Sequence, residues 1–416
     1  MARILLLTPQ LPYPPHQGTS LRNFHIVRGL AETHQLSLLS FLEEGQMLLP
    51  DSPLHTLCQT IETVPVPTRS TGQRLRQLLT TRQPDMAHRL HSADFRAALA
   101  RLLEKRPFDI GQFDIVQIEG IELARTIPLI RQKAPHAKIV FDNHNAETAL
   151  QWRAMLADLP NPRRWLAAGY SLVQVGRLRQ FERWACRAAD WVTAVSDTDQ
   201  AHLQQLLGKE GPPITAVPNS IDVTQYENWQ IDEATPRFDL VFSGKMDYRP
   251  NIDAVLWFAE TAWPQIVAER PTTTWAIVGQ KPHPRLAHLA GLPGVTITGW
   301  VDAVQPYLAG ASICLLPFRI GSGTRLKLIE AMASGKPIVS TSIGSEGFAV
   351  AHELDLLLAE SGEEMATVVL RLLADGELRE RLGENGRLFA QQFDWRVVVP
   401  QFNEIYQRLI GDDKTC

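Results

Sequence analysis

Short apolar runs recur along the chain, each separated from the next by enough residues for a helix. The first series lies at 4–7, 36–42, 61–66, 114–118, 138–141, 191–195 and 214–217. The second lies at 240–242, 275–278, 295–298, 313–316, 338–339 and 354–358. Runs this compact, rich in Val, Ile and Leu, predict strands buried on both faces. Helical spacing of apolar positions between them, as at Leu21, Phe24, Val27 and Leu30, predicts helices, with others at 252–267 and 302–309. Alternation of this kind predicts an α/β fold, a parallel sheet with helices on both faces. The series restarts after a polar, turn-rich stretch at 225–237, so two doubly wound domains are predicted, 1–217 and 238–393, joined by a linker at 218–237. Terminal helices close the chain, the last over 394–410 within a closing segment 394–416.

A length of 416 residues exceeds what one core usually holds, in agreement with two domains. The formal net charge of −4 gives no general reason to expect nucleic acid as a partner. Cys58, Cys186, Cys314 and Cys416 are scattered without a C-x-x-C pair, which suggests neither a disulfide framework nor a zinc site and fits a reducing cytoplasm. The apolar run at 4–7 is too short for a signal peptide, and no run reaches membrane-spanning length. Charge is distributed unevenly. Residues 69–106 carry nine Lys or Arg (69, 74, 76, 82, 89, 96, 101, 105, 106) against three acids (85, 94, 104), an excess of six. A second basic stretch, 153–187, is flanked or interleaved by Trp152, Trp165, Tyr170, Phe181 and Trp184. Solvated helix faces account for such stretches; so does a surface resting on anionic lipid at the inner face of a membrane.

The chemistry concentrates after the run at 313–316, where Gly321, Ser322, Gly323 and Thr324 lead into a helix predicted over 324–334. The glycines let backbone approach a ligand, and free amides at a helix start favour a phosphate. Arg325 and Lys327 add two cations there. Glu330 sits at the edge of that helix's apolar face and can lean back toward the loop, although a solvated helix glutamate fits equally well. Asp142, Asn143 and His144 follow the run at 138–141, at the carboxyl end of a strand where open α/β sheets place ligands; a lone histidine there is either a structural hydrogen-bonder or a reacting group. No G-x-G-x-x-G follows the first strand, which weakens a nicotinamide reading. Pro337 after Gly335 and Lys336 excludes a P-loop.

Glu330-Ala-Met-Ala-Ser-Gly-Lys-Pro337, Pro218-Asn-Ser-Ile-Asp222 and Gly244-Lys245 together resemble the family-4 retaining glycosyltransferases over nearly the whole length, most strongly at 245–347. The resemblance implies two Rossmann-like domains facing a cleft (the GT-B shape), with the last helix crossing back to the first domain. It also implies a nucleotide-sugar donor and a saccharide or lipid-linked acceptor, in polysaccharide or glycolipid synthesis. A cleft that must exclude water is expected to close over them, and with no metal-chelating Asp-x-Asp evident near the site, neither a metal nor another cofactor is expected. By the same resemblance Glu330 binds the donor ribose, His144 lies beside the transferred sugar, Gly18 faces both substrates and Lys245 clamps the diphosphate with Gly244. Gly18 as a turn glycine and Lys245 as a surface lysine are the bland alternatives. Departures are Ser322 in place of the family's first glutamate, Ser220 in place of a glycine, and Pro250 where a second clamp lysine is usual. Arg325 and Lys327 are therefore expected to supply the missing charge. A nucleotide-sugar isomerase of the same shape, or a degenerate protein that only binds a sugar nucleotide, are the rival readings.

Overall fold

The computed structural model describes residues 1–15, 18–104, 113–159, 165–227, 229–320 and 324–411. The chain forms two compact units, one of Met1–Ser220 with Trp395–Cys416 and one of Ile221–Asp394.

The first unit is built on a parallel sheet of β1 (Arg3–Thr8), β2 (Gln35–Leu42), β3 (Thr60–Pro65), β4 (Ile115–Glu119), β5 (Lys138–Asn143), β6 (Trp191–Ala194) and β7 (Ile214–Ala216). Their order is β3-β2-β1-β4-β5-β6-β7, so the winding reverses between β1 and β4. Successive strand residues point to opposite faces, and both faces are covered. Leu5, Leu7, Phe41, Val116, Ile118 and Phe141 pack on one side. Ile4, Leu6, Leu38, Ile115 and Val140 pack on the other, with Phe402 and Tyr406 of the C-terminal helix Pro400–Gly411 among them. Burial on both sides is why these strands read as unbroken apolar runs.

The second unit repeats the plan with β8 (Phe238–Ser243), β9 (Trp275–Val278), β10 (Val295–Gly299), β11 (Ala311–Leu316), β12 (Ile338–Ser340) and β13 (Leu357–Leu358), in the order β10-β9-β8-β11-β12-β13. All its ladders are parallel and its reversal lies between β8 and β11. The loops after β8 and β11 therefore flank the switch point, where doubly wound sheets hold ligands.

Two expected helices are each two shorter ones, broken at prolines. The segment 252–267 forms Arg249–Thr261 and Trp263–Glu269, with Pro264 in the first turn of the second. The segment 394–410 forms Trp395–Val398 and Pro400–Gly411. Proline lacks the N–H that would continue the preceding helix, and so starts a new one. The helix expected over 302–309 begins later, at Gln305, again with proline in its first turn. The helix expected over 324–334 is Leu326–Ala333. Cys58, Cys186 and Cys314 are free and buried. Among the described residues no helix is long and apolar enough to cross a membrane.

Candidate functional site

In the second unit, Gly244 follows β8 and the Leu326–Ala333 helix follows β11, the neighbouring strand, so the two lie side by side. A β-carbon at Gly244 would fall 2.1 Å from Lys327 Nζ and 2.8 Å from Asn251 Nδ2. The glycine leaves the space into which the ammonium reaches. Lys327 Nζ donates to Asn251 Oδ1 at 2.9 Å, and Asn251 Nδ2 donates to the carbonyl of Lys245 at 2.7 Å, which ties the helix side chain to the β8 loop. The same ammonium faces the rings of Phe242 and Phe318, 5.2 and 5.5 Å from their centroids. Burial lowers the Lys327 pKa to about 7, Arg325 adds to the shift, and Glu330 opposes it.

Arg325 immediately precedes that helix and lays its guanidinium over Phe318 at 4.6 Å. Its Nε and Nη2 are buried and make no hydrogen bond among the described residues. Burial holds its pKa below the usual value, with Glu346 and Tyr248 opposing the shift. Glu330 is only partly exposed, and Tyr226 donates its hydroxyl to Glu330 Oε1 at 3.0 Å. Burial raises the Glu330 pKa against the pull of Tyr226 and Lys327. Thr324 is partly buried beside Arg325. Gly321, Ser322 and Gly323 lie outside the described residues. The Lys245 side chain is largely exposed, 3.9 Å from Asp247, so the ammonium placed against Gly244 is that of Lys327.

The first unit gathers its polar groups at the carboxyl ends of β4, β5 and β6. Glu119 and Asp142 are direct neighbours on β4 and β5, and Asp142 faces Thr193 on β6. Arg22, from the helix Gly18–Ala31, makes a two-pronged pair with Asp142, Nε to Oδ2 at 2.8 Å and Nη2 to Oδ1 at 3.0 Å. Arg22 Nη1 donates to the carbonyl of Pro218 and to Asn219 Oδ1, so the Pro218-Asn219 turn is read by a buried cation. Thr193 donates its hydroxyl to Asp142 as well. Burial works to raise the Asp142 pKa, but the Arg22 charge and hydrogen bonds, with help from His144 and Glu119, hold it down to about 2. His144 places Nε2 2.9 Å from Glu119 Oε2 and 3.7 Å from Asp142 Oδ2. Burial and the Asp142 charge push Glu119 up to about 7, and the two carboxylates raise the His144 pKa despite burial. Gly18 is exposed at the first position of its helix.

Glu119, Asp142 and His144 offer ligand atoms within 4.8 Å of one another, the one such group found among the described residues. Both Asp142 oxygens already accept from Arg22, and His144 Nε2 is hydrogen-bonded to Glu119, so these groups are partnered within the protein. Nearby, Glu182 accepts from Asn143 Nδ2 and from the amides of Glu147 and Thr148, and so caps the start of the helix Glu147–Asp158.

The structure thus brings Gly244, Arg325, Lys327 and Glu330 together in one unit and surrounds His144 with a buried network in the other. Arg22, Glu119, Tyr226 and Asn251 belong to these arrangements without having been singled out from sequence. Glu119 had a usable signal, an acid ending a short, largely apolar strand. Tyr226 had none, because it lies in the polar stretch that reads as a linker.

Residues 18–225 match the family profile described as Glycosyltransferase Family 4, and residues 237–375 match the one described as Glycosyl transferases group 1. The phosphatidyl-myo-inositol mannosyltransferase of Mycolicibacterium smegmatis is 24% identical over 401 residues, 92% of each chain. An uncharacterized glycosyltransferase of Methanocaldococcus jannaschii, MJ1178, is 32% identical over 110 residues, which are 26% of this chain and 31% of that protein. Among solved structures, Anabaena Alr3699/HepE in complex with UDP and glucose superposes with a TM-score of 0.68 at 15% identity, covering 98% of this chain and all of that one.

Proposed function

Since the chain belongs to glycosyltransferase family 4, with the two-Rossmann GT-B fold, and is a glycosyltransferase, we propose that it is a retaining enzyme. It moves a sugar from a nucleoside-diphosphate sugar to a hydroxyl of a saccharide or lipid-linked acceptor, in polysaccharide or glycolipid synthesis. The observation that carries the donor class is the cation pair Lys327 and Arg325, both partly buried. Two guanidinium nitrogens of Arg325 lack partners among the described residues, and Lys327 lies against glycine backbone at the switch point. Partly buried cations so placed suit a diphosphate leaving group, whose charge grows as the bond to the sugar breaks. The acceptor oxygen bonds to the anomeric carbon on the face the diphosphate leaves, and its proton passes to a departing phosphate oxygen. His144 is the sugar-side histidine, and Glu330, held by Tyr226, the ribose ligand. Neutralisation falls to protein cations, so turnover continues in excess chelator; loss of turnover restored by Mg²⁺ or Mn²⁺ would remove this scheme.

The experiment is a thermal-shift series with UDP-, GDP- and ADP-sugars on wild type and Lys327→Ala. The Anabaena neighbour's complex makes UDP the first choice. A nucleotide sugar at a hundred times its dissociation constant stabilises the folded state by about 2.7 kcal/mol, visible as a raised Tm. Wild type responds to one nucleotide class and Lys327→Ala responds weakly. No response to any sugar nucleotide, or equal responses in both proteins, would displace the donor from this site. Glu330→Gln retains an acceptor for Tyr226 but loses the charge. Its KM for donor rises roughly ten- to a hundredfold at nearly constant kcat, because a ribose contact is equal in ground and transition states. A fall in kcat at unchanged KM would assign Glu330 elsewhere.

The acceptor reading extends to an anionic membrane surface. The helix Thr71–Thr80 buries none of its residues and shows Leu75 and Leu79 57% and 76% exposed, next to Arg74 and Arg76. Beside it a cavity of about 220 Å³ is walled by Arg74, Tyr170 and Arg177. Trp165 is exposed in the second basic stretch, and Trp152 is exposed beside it. Each basic residue near an anionic leaflet contributes about 1 kcal/mol, screened by salt. Co-sedimentation with phosphatidylserine vesicles therefore falls as salt rises, and falls further in a variant combining Leu75→Ser, Leu79→Ser, Arg74→Glu and Arg76→Glu. Binding unchanged by those four substitutions would end the proposal.

A further inference from the structure

The C-terminal helix Pro400–Gly411 reaches the His144 network from the opposite end of the sequence. Phe402 and Tyr406 are one turn apart and so lie on one helix face. Both are fully buried. Each meets a different arm of the network. Arg22 sits over the Phe402 ring at 5.7 Å while gripping Asp142. Tyr406 donates its hydroxyl to Gln117 Oε1. Gln117 Nε2 donates to Glu119 Oε1 at 2.5 Å, and the other oxygen of Glu119 meets His144 Nε2. Gln117 and Glu119 are two residues apart on β4, so both point to the same face of the sheet.

This chain of bonds has a direction. A tyrosine hydroxyl bonded to the Gln117 carbonyl leaves the amide N–H₂ to face Glu119. If the amide flipped, its carbonyl would confront the Glu119 carboxylate. With Oε1 satisfied by Gln117, Oε2 is left for the N–H of His144, whose Nδ1 then carries the free lone pair. We infer that Tyr406 and Gln117 are positioning residues that fix Glu119, and through it the ring orientation and the tautomer of His144. Phe402 backs the Arg22 and Asp142 arm in the same way. The inference rests on the reading of His144 as the sugar-side group only for its consequence in turnover; the contacts stand without it.

Among the described residues, the charged groups around His144 come from five elements. They are Glu119 on β4, Asp142 on β5, Arg22 on the first helix, Glu147 on the helix Glu147–Asp158, and Glu122 near Gly120, whose β-carbon would lie 3.7 Å from His144 Nδ1. Tyr406 adds its hydroxyl, which burial and the Glu119 and Asp142 carboxylates keep protonated. Without the Tyr406 hydroxyl, Gln117 is free to turn. Glu119 then loses a donor and takes a proton more readily, and His144 loses its ionised partner.

The test is long-range ¹H–¹⁵N NMR on full-length protein labelled at histidine nitrogens, with His144 assigned by the disappearance of its signals in His144→Gln. Wild type shows the neutral ring protonated at Nε2. In Tyr406→Phe and in Gln117→Met, the Nδ1–H tautomer gains population and the His144 titration midpoint falls by about one pH unit. Phe95→Leu, a core substitution away from the network, lowers Tm and leaves both readings in place. If both network variants keep the wild-type tautomer and midpoint, Tyr406 and Gln117 are only packing and the inference is wrong. The readout needs no substrate, so its failure is distinguishable from failure of the donor assignment.

Discussion

Lys327→Ala is expected to fold and to turn over about a hundred- to a thousandfold more slowly than wild type, since loss of one preorganised partner at a developing anion costs about 2.7–4 kcal/mol. Arg325→Ala belongs to the same class, because two of its guanidinium nitrogens make no hydrogen bond among the described residues. The two should not add, as both act on one diphosphate. The Lys327 pKa of about 7 fixes the sign of two pH effects. Between pH 7 and the ordinary lysine range the unfolded chain binds a proton that the folded chain does not. Stability from this group is therefore lowest below pH 7 and rises with pH through that window. Lys327→Met removes the dependence and is the more stable protein at pH 6. Donor binding runs the other way, because the diphosphate needs the ammonium charged and must recruit a proton above pH 7. Affinity for UDP or its responding equivalent falls as pH rises from 7 to 9 in wild type, and much less in Lys327→Arg. Steady-state kinetics, urea unfolding and calorimetry across that range check all three statements. Near-wild-type kcat in folded Lys327→Ala and Arg325→Ala would make the loop after β11 a structural turn.

How far the site could be read from sequence follows from the range of its contacts. Buried strands announce themselves locally, so each run from 4–7 to 354–358 contains or overlaps an observed strand, and their alternation with helices fixed the parallel, doubly wound plan. Helix interiors were less legible where proline intervened, as at Pro264 and Pro400, because apolar periodicity continues across a break that only a missing N–H imposes. The Leu326–Ala333 helix gave up Lys327 and Glu330 because charges on an apolar helix stand out within a few residues. That Lys327 lies against Gly244, 83 positions away, needed the β8–β11 adjacency, which no local pattern encodes. Glu119, Arg22 and Tyr406 are harder still. Their meaning comes from 25-, 120- and 289-residue separations to His144, Asp142 and Gln117.

Arg22→Met is expected to destabilise the first unit by about 3–5 kcal/mol, the usual consequence of stripping one partner from a buried ion pair. Asp142 is fully buried, with Arg22 on both oxygens and only the Thr193 hydroxyl and the His144 edge to replace it. Adding Asp142→Asn to Arg22→Met removes the buried carboxylate that had lost its cation, and recovers much of the loss. The pH dependence separates this electrostatic account from simple loss of packing against Phe402. In wild type the Asp142 carboxyl is held at about 2, below its unfolded value, so its contribution is present above about pH 4 and disappears as pH falls through 2. In Arg22→Met the same carboxyl, buried without its cation, moves above its unfolded value. That variant is then least handicapped near pH 3 and loses stability as pH rises. The gap between wild type and Arg22→Met in urea unfolding should therefore widen from pH 3 to pH 7. A gap that is constant across this range, or smaller than about 1 kcal/mol at pH 7, would mean that Arg22 acts by packing alone, and that the ordering of Asp142 beside His144 does not depend on it.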